Sequence, residues 1–248
     1  MRYFAFGDTH GSFVLLMNSL KKAGFNLENP NDKLISLGDN FDRGSESKEM
    51  YLWLEEMKSK NKILFIRGNH ENILLNYLVG KTDGYFDVKH NGLGETIKSL
   101  LEIEHNYLVL YEYSRIIKER YPEILNFLGE MPYGYKIGNV IFTHAGFAYD
   151  LNTKQWVVDD WANTPTFIGS CKSTRFKFVF GHWHARSLSV QFLKKPNEES
   201  RTFYYKNFMG LDSCTNQTMR VNIAILDSDA APIPLDYGQS IKDIEKLL

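Results

Sequence analysis

The chain has 248 residues, with 29 Lys and Arg against 30 Asp and Glu and a formal net charge of -1. A balance this close to zero leaves no basic footprint for non-specific nucleic-acid binding and no polybasic segment for an anionic membrane, so neither partner is expected. Hydrophobic residues at 43% and charged residues at 24% describe a globular protein able to bury one large core or two modest ones, and a single α/β domain over residues 1–248 is expected.

The N-terminal half alternates short apolar runs with amphipathic stretches, the pattern of βαβ units and a largely parallel sheet segment. Met1 to Phe6, Lys33 to Leu37 and Lys62 to Ile66 read as strands, each running into a glycine-containing loop: Gly7-Asp8, Gly38-Asp39 and Gly68-Asn69. Phe13, Leu16, Met17 and Leu20 then fall at helical spacing with Gly24 as C-cap. Met50, Trp53, Leu54 and Met57 repeat that spacing after Ser45 or Ser47 as N-cap. Residues 70 to about 132 read as mostly helical, with a glycine-bearing loop from Lys81 to Gly94 and a break at Pro122, so that about 77–132 forms an accessory helical insert. Strand-like runs follow at Tyr135 to Thr143, Lys177 to Phe180, Ser187 to Phe192, Thr202 to Tyr205 and Val221 to Leu226, with a polar turn at Lys194 to Arg201. They predict a second, mainly antiparallel sheet, and Ile241, Ile244 and Leu248 are spaced for a closing helix.

Two cysteines, Cys171 and Cys214, without C-x-x-C spacing, read as buried thiols of an intracellular chain. Met1 to Phe6 is too short for the apolar core of a signal peptide and no apolar run approaches about 18 residues, so a cytoplasmic location is expected. His90 and His105 match no motif and read as surface or loop residues.

Five of the seven histidines lie in four short motifs: Gly7-Asp8-Thr9-His10-Gly11, Gly68-Asn69-His70-Glu71, Thr143-His144-Ala145-Gly146 and Gly181-His182-Trp183-His184. A fifth motif, Gly38-Asp39-Asn40-Phe41-Asp42-Arg43-Gly44, adds two carboxylates and an arginine. All five follow a predicted strand, and strand carboxyl ends in an open α/β sheet converge on one crevice. Asp, Asn and His without a thiolate suit divalent manganese, iron or zinc rather than a structural zinc site. A dinuclear site fits best, with a carboxylate bridging two ions about 3.5 to 4 Å apart as in-line displacement at phosphorus requires.

The series GDxHG, GDxxDRG, GNHE, HAG and GHxH resembles the calcineurin-like metallophosphoesterases, and within them the bacterial and phage serine/threonine protein phosphatases of the lambda type. The resemblance runs in order over nearly the whole chain, including Asn91-Gly92 through Leu101, Trp161 and the region of Asp212. It implies a four-layer α-β-β-α sandwich of two mixed sheets. It also implies that Asp8 and His10 bind a first metal, that Asp39 bridges to a second, and that Asn69, His144 and His182 complete the second. A hydroxide bridging the two ions would attack phosphorus directly. Arg43 and Asn69 would bind phosphate, while His70, oriented by Asp42, would protonate the leaving alkoxide. Two divalent ions, manganese foremost and iron or zinc as alternatives, are therefore expected. Glu71 reads as a structural carboxylate that caps the following helix or pairs with a basic residue.

Two departures qualify the resemblance. The phosphatase branch commonly has Gly-His-Thr where this chain has Gly181-His182-Trp183-His184, which makes His184 a candidate first-metal ligand of the wider superfamily type, with hydrogen bonding as its alternative role. The second phosphate-binding arginine of the lambda type is replaced here by Ala162-Asn163 after Trp161, leaving Arg175 or Arg186 as substitutes. The expected activity is hydrolysis of phosphoserine or phosphothreonine in proteins and of small phosphate esters by a monomer. Symmetrical diadenosine tetraphosphatase and phosphodiesterase activities are the enzyme alternatives. A catalytically silent metal-binding scaffold is the non-enzyme alternative.

Overall fold

The computed structural model describes residues 1–104, 109–170 and 175–247. His105, Cys171 and Leu248 lie outside the described residues. Two mixed sheets stack face to face with helices on both outer sides.

The first sheet holds β1 (Arg2–Phe6), β2 (Asp32–Ser36) and β3 (Ile63–Phe65) in parallel, with β11 (Ala224–Asp227) antiparallel beside β1. The second has the order β12, β4, β5, β8, β10, β9, from Pro232–Leu235, Gly134–Ile137, Val140–Thr143, Lys177–Phe180, Phe208–Gly210 and Phe203–Tyr205. Its centre, β5–β8–β10, is parallel and its flanking pairs are antiparallel. A small hairpin pairs β6 (Phe147–Asp150) with β7 (Gln155–Val158).

Alternation along the strands builds the layers. Tyr3 and Ala5 of β1 face the second sheet and meet Phe142 and Val179 there, whereas Phe4 and Phe6 point outward into the helices. On β8, Val179 points inward and Phe178 and Phe180 pack under the opposite helical layer. Strands covered on both faces carry apolar residues at successive positions, which is why these runs show no polar alternation.

One outer layer contains α1 (Phe13–Ala23), α2 (Ser47–Ser59), α3 (Asn69–Leu78), α4 (Tyr85–His90), α5 (Leu93–Leu101), α6 (Leu110–Arg120) and α7 (Ile124–Gly129), all sharing one apolar cluster with the first sheet. The other contains α8 (Phe167–Ser170), α9 (Ala185–Leu188) and α11 (Ile241–Glu245). Between them in sequence, α10 is the single turn Thr215–Thr218. Among the described residues no helix is long and apolar enough to cross a membrane.

Several expectations are corrected. The Lys81 to Gly94 loop contains α4 and the start of α5, and His90 is an exposed helical residue against Phe86. The run Tyr135 to Thr143 is a hairpin, folded at Gly138 into β4 and β5. Ser187 to Phe192 is not a strand: α9 continues into a π-helical turn over Ser189–Leu193. Leu188, Val190 and Phe192 imitate strand alternation, but Val190 is 55% exposed, and the buried set instead follows Ala185 and Leu188 at helical spacing. Val221 to Leu226 supplies β11, which joins the first sheet rather than the second. Glu46, not Ser45 or Ser47, precedes α2; the buried Ser47 hydroxyl meets Thr96, and the Glu46 carboxylate accepts the Val14 N–H of α1.

Candidate metal centre

Parallel pairing of β1, β2 and β3 sets Asp8, Asp39 and Asn69 along one sheet edge, and parallel pairing of β5 with β8 sets His144 and His182 along the facing edge. The loops make tight turns there. Asp8, His10, Asp39, Asp42, Arg43 and His182 all have left-handed backbone, with φ between 44° and 69°. Non-glycine residues avoid this region unless their surroundings over-determine it, and such strain gathers at functional sites.

Among the described residues two groups of donor atoms lie within 4.8 Å of one another, His10 with Asp39 and His70, and Asp39 with His144 and His182. Asp39 belongs to both. Hydrogen bonds aim the ring nitrogens: Nδ1–H of His10 donates to the Phe41 carbonyl at 3.0 Å and Nδ1–H of His144 to the Leu37 carbonyl at 2.8 Å, leaving each Nε2 turned inward. The Asn69 carbonyl Oδ1 sits 2.9 Å from His144 Nε2 and 3.0 Å from His182 Nδ1, and Asp39 Oδ1 lies 3.3 Å from His144 Nε2.

Electrostatics point the same way. Burial lowers His10 and His182 to about 3, so both rings are neutral and keep a lone pair at physiological pH. Burial opposes charge on His144 as well, but Asp39 outweighs it and holds the imidazole up to about 10. Burial, then the charge of Asp212, raises the Asp8 carboxyl, whereas the surrounding histidines overcome burial at Asp39 and hold it low.

Asp8, Asp39 and Asp212 are thus three buried carboxylates in one neighbourhood. Asp8 Oδ1 accepts the His182 N–H at 2.8 Å, but Asp8 Oδ2 is buried without any hydrogen-bond partner. A Cβ at Gly181 would stand 2.2 Å from that oxygen, so only glycine admits it. An orphaned buried carboxylate oxygen beside two further carboxylates is the environment a divalent cation satisfies, and the nitrogen and oxygen donor set fits such an ion.

Beside the donors, His70 Nδ1–H donates to Asp42 Oδ2 at 2.7 Å, and Thr96 Oγ1–H donates to Asp42 Oδ1 at 2.7 Å. Burial opposes the imidazolium of His70, yet Asp39 and Asp42 together raise its pKa. The guanidinium of Arg43 reaches His70 Nε2 at 3.0 Å and His10 Nε2 at 2.9 Å. Gly92, at φ +89°, accepts the Arg43 N–H at 3.1 Å, and a Cβ there would come 2.5 Å from the Arg43 nitrogen. The N-terminus of α5 therefore braces the arginine loop.

Glu71 does more than cap α3. Its fully buried carboxylate accepts the Gly68 and Asp39 N–H groups on one oxygen and both the backbone and side-chain N–H of Asn40 on the other. It ties two ligand-bearing loops together. The motif spacing placed it in a helix's first turn, and no local signal announced the second loop.

His184 stands apart from both donor groups. Its side chain is 44% exposed and Nε2 lies 3.7 Å from Asp212 Oδ2. Arg175 precedes β8, at the end of the strand opposite His182, and lines a different cleft with Lys177 and Tyr204. It is removed from the centre. Cys214 is half-buried rather than buried. Asp212, which the motifs left without a role, faces both Asp8 and His184.

A sandwich of two mixed sheets with such donors at the carboxyl ends of its strands is the architecture of a metallophosphoesterase. The family model of calcineurin-like phosphoesterases matches residues 1–208, and the chain belongs to that family. Over 158 residues it is 28% identical to the asymmetrical bis(5'-nucleosyl)-tetraphosphatase PrpE of Halalkalibacterium halodurans, covering 60% of this chain and 59% of that protein. Over 110 residues it is 34% identical to serine/threonine-protein phosphatase 2 of Escherichia coli, covering 40% and 47%. The chain thus spans between about half and three-fifths of the curated relatives it matches. Among solved structures, the metallophosphoesterase of Sphaerobacter thermophilus superposes with a TM-score of 0.53 at 14% identity, covering 100% of this chain and 94% of that one. A protein serine/threonine phosphatase of Saccharomyces cerevisiae gives 0.52 at 17%, covering 94% and 81%.

Proposed function

We propose that the chain hydrolyses phosphate monoesters, among them phosphoserine and phosphothreonine in proteins and small aryl phosphates. The observation that carries the reading is the Asp42–His70–Arg43 chain beside Asp39: an imidazole fixed at Nδ1 by a carboxylate, with a guanidinium at its Nε2. Arg43 binds the phosphoryl oxygens with its planar donor fork, and Asn69 turns its amide toward the same group. Once Arg43 turns from His70 Nε2 to the phosphoryl oxygens, that nitrogen no longer accepts a guanidinium N–H and is free to take a proton; His70, its pKa raised by Asp39 and Asp42 against burial, then delivers it to the departing serine or threonine oxygen. Asp42 stays hydrogen-bonded throughout and keeps the ring in its donating orientation.

Asp8, His10, Asp39, Asn69, His144 and His182 would hold two divalent ions, manganese foremost with iron or zinc as alternatives. When bound, these supply Lewis acidity and a water of lowered pKa. Hydrolysis of dinucleoside tetraphosphates is the second reading, favoured by the similarity to the Halalkalibacterium halodurans protein.

With manganese added, kcat/KM for a phosphopeptide, a dinucleoside tetraphosphate and bis(p-nitrophenyl) phosphate separates these readings; preference for the dinucleotide overturns the first. His70→Asn should lower kcat on the phosphopeptide by about 10²–10⁴. It should lower kcat on p-nitrophenyl phosphate far less, because a nitrophenolate leaves without a proton. Equal losses on both substrates would remove His70 from the role of acid.

A further inference from the structure

Three imidazoles of the centre are oriented in two different ways. His10 and His144 each donate Nδ1–H to a backbone carbonyl, which fixes the ring and leaves Nε2 for an ion. His182 is reversed: Nδ1 faces inward, 3.0 Å from Asn69 Oδ1, and Nε2 has no hydrogen-bond partner among the described residues. Asn69 Oδ1 is itself an expected ligand atom of the second ion, so that contact gives way once the ion is bound. A ligating imidazole almost always has its other nitrogen held, and this one does not. Nor does relaxed backbone hold the ring. His182 sits at φ +59° in a three-residue turn that the Trp183 N–H closes on the Gly181 carbonyl at 2.6 Å. Such backbone persists only where the surroundings over-determine it.

Trp183 touches the ring that no hydrogen bond holds. Its indole meets the His182 imidazole edge to face, with centroids 4.9 Å apart and planes at 86°. Its Nε1–H donates to the Ala145 carbonyl at 2.9 Å, in the loop that carries His144. The His182 ring packs in turn against the His144 ring, at 5.1 Å and 73°. Trp183 thus spans the loops that leave β5 and β8, and it is half-buried against the apolar cluster on the outer side of the second sheet.

We infer that Trp183 is a positioning residue: its indole holds the His182 imidazole toward the second ion, in place of the absent hydrogen bond, and its bond to Ala145 locks that orientation to the loop of His144. The inference rests on the reading of the centre as a two-ion site. It gives the variable position of GHxH a role in the affinity for one ion of the two. The first ion, expected on Asp8 and His10, is held independently of it.

The full chain and its Trp183→Phe, Trp183→Ala and His182→Ala variants test it. Manganese titrated calorimetrically should bind at one site about 10–100-fold more weakly to Trp183→Ala, with the other site within about threefold of wild type. Trp183→Phe keeps a ring on His182 and loses only the bond to Ala145, so it should lose about three- to tenfold at the same site. In the His182→Ala background, Trp183→Ala should change manganese affinity by less than about twofold, because nothing remains to be positioned. Equal weakening of both sites, or an undiminished loss in the His182→Ala background, shows general support of the fold and overturns the proposal. A crystal structure of metal-free Trp183→Ala gives a readout without the ion: His182 Nδ1 should move beyond about 3.5 Å from Asn69 Oδ1. A ring that stays in place overturns the proposal as well. Should the wild type bind no manganese while the ring still moves in Trp183→Ala, the positioning stands and the two-ion reading falls.

Discussion

Glu71→Gln distinguishes a helix cap from a strut of the metal centre. The carboxylate accepts four N–H groups: Gly68 at 2.9 Å and Asp39 at 2.8 Å on Oε2, and the Asn40 backbone at 2.8 Å and side chain at 3.0 Å on Oε1. A carboxamide keeps one acceptor oxygen, so one pair of donors must face an NH2 group. A buried donor stripped of its acceptor costs about 1–3 kcal/mol, and two cost about 2–6 kcal/mol. Loss of an ordinary cap costs about 1 kcal/mol. In a chain of this size 1 kcal/mol moves Tm by about 2–4 °C, so scanning calorimetry should show a fall of roughly 4–24 °C. Because the tied loops carry Asp39 and Asn69, manganese affinity measured by titration calorimetry should drop about 10–100-fold. A Tm within about 2 °C of the parent, together with unchanged manganese affinity, would refute the strut.

Further outcomes follow from the same geometry. Gly92→Ala forces a side chain into left-handed backbone against the Arg43 nitrogen and should destabilise the chain by about 1–3 kcal/mol. It should also raise KM for p-nitrophenyl phosphate by displacing the guanidinium; a wild-type KM would show that α5 does not brace Arg43. Asp32 is buried and accepts from Arg2 and from the Asn26 N–H; burial opposes its charge, but these donors and the Arg2 and Lys62 charges hold its carboxyl below the usual value. Its contribution is complete above the unfolded pKa of about 3.9 and fades as pH falls through the lower folded value. Asp32→Asn should therefore cost about 1–3 kcal/mol in urea unfolding at pH 7, with the gap to wild type closing below about pH 4. A gap that persists at pH 2.5 would sink that account.

The metal-ligand motifs were legible because chemistry restricts them. A chain that places Asp8, Asp39, Asn69, His144 and His182 directly after apolar runs declares strand ends carrying nitrogen and oxygen donors, whatever the distant fold. Helices such as α1 declared themselves by apolar period, and Gly24 indeed ends it in left-handed backbone. Local pattern failed where two periods coincide, as at Leu188, Val190 and Phe192, where alternation and helical spacing share residues and only packing chooses.

Everything that depends on a partner distant in sequence was decided by the tertiary structure. That β11 pairs with β1 across more than two hundred residues follows from which sheet edge was open, not from its own four residues. Glu71 joins two loops and Thr96 of α5 holds Asp42, because each role is set by who arrives at the other end of the contact. Residue type and spacing determined which donors exist. Parallel strand pairing decided that they meet, since it is what brings carboxyl ends separated by tens of residues to one edge.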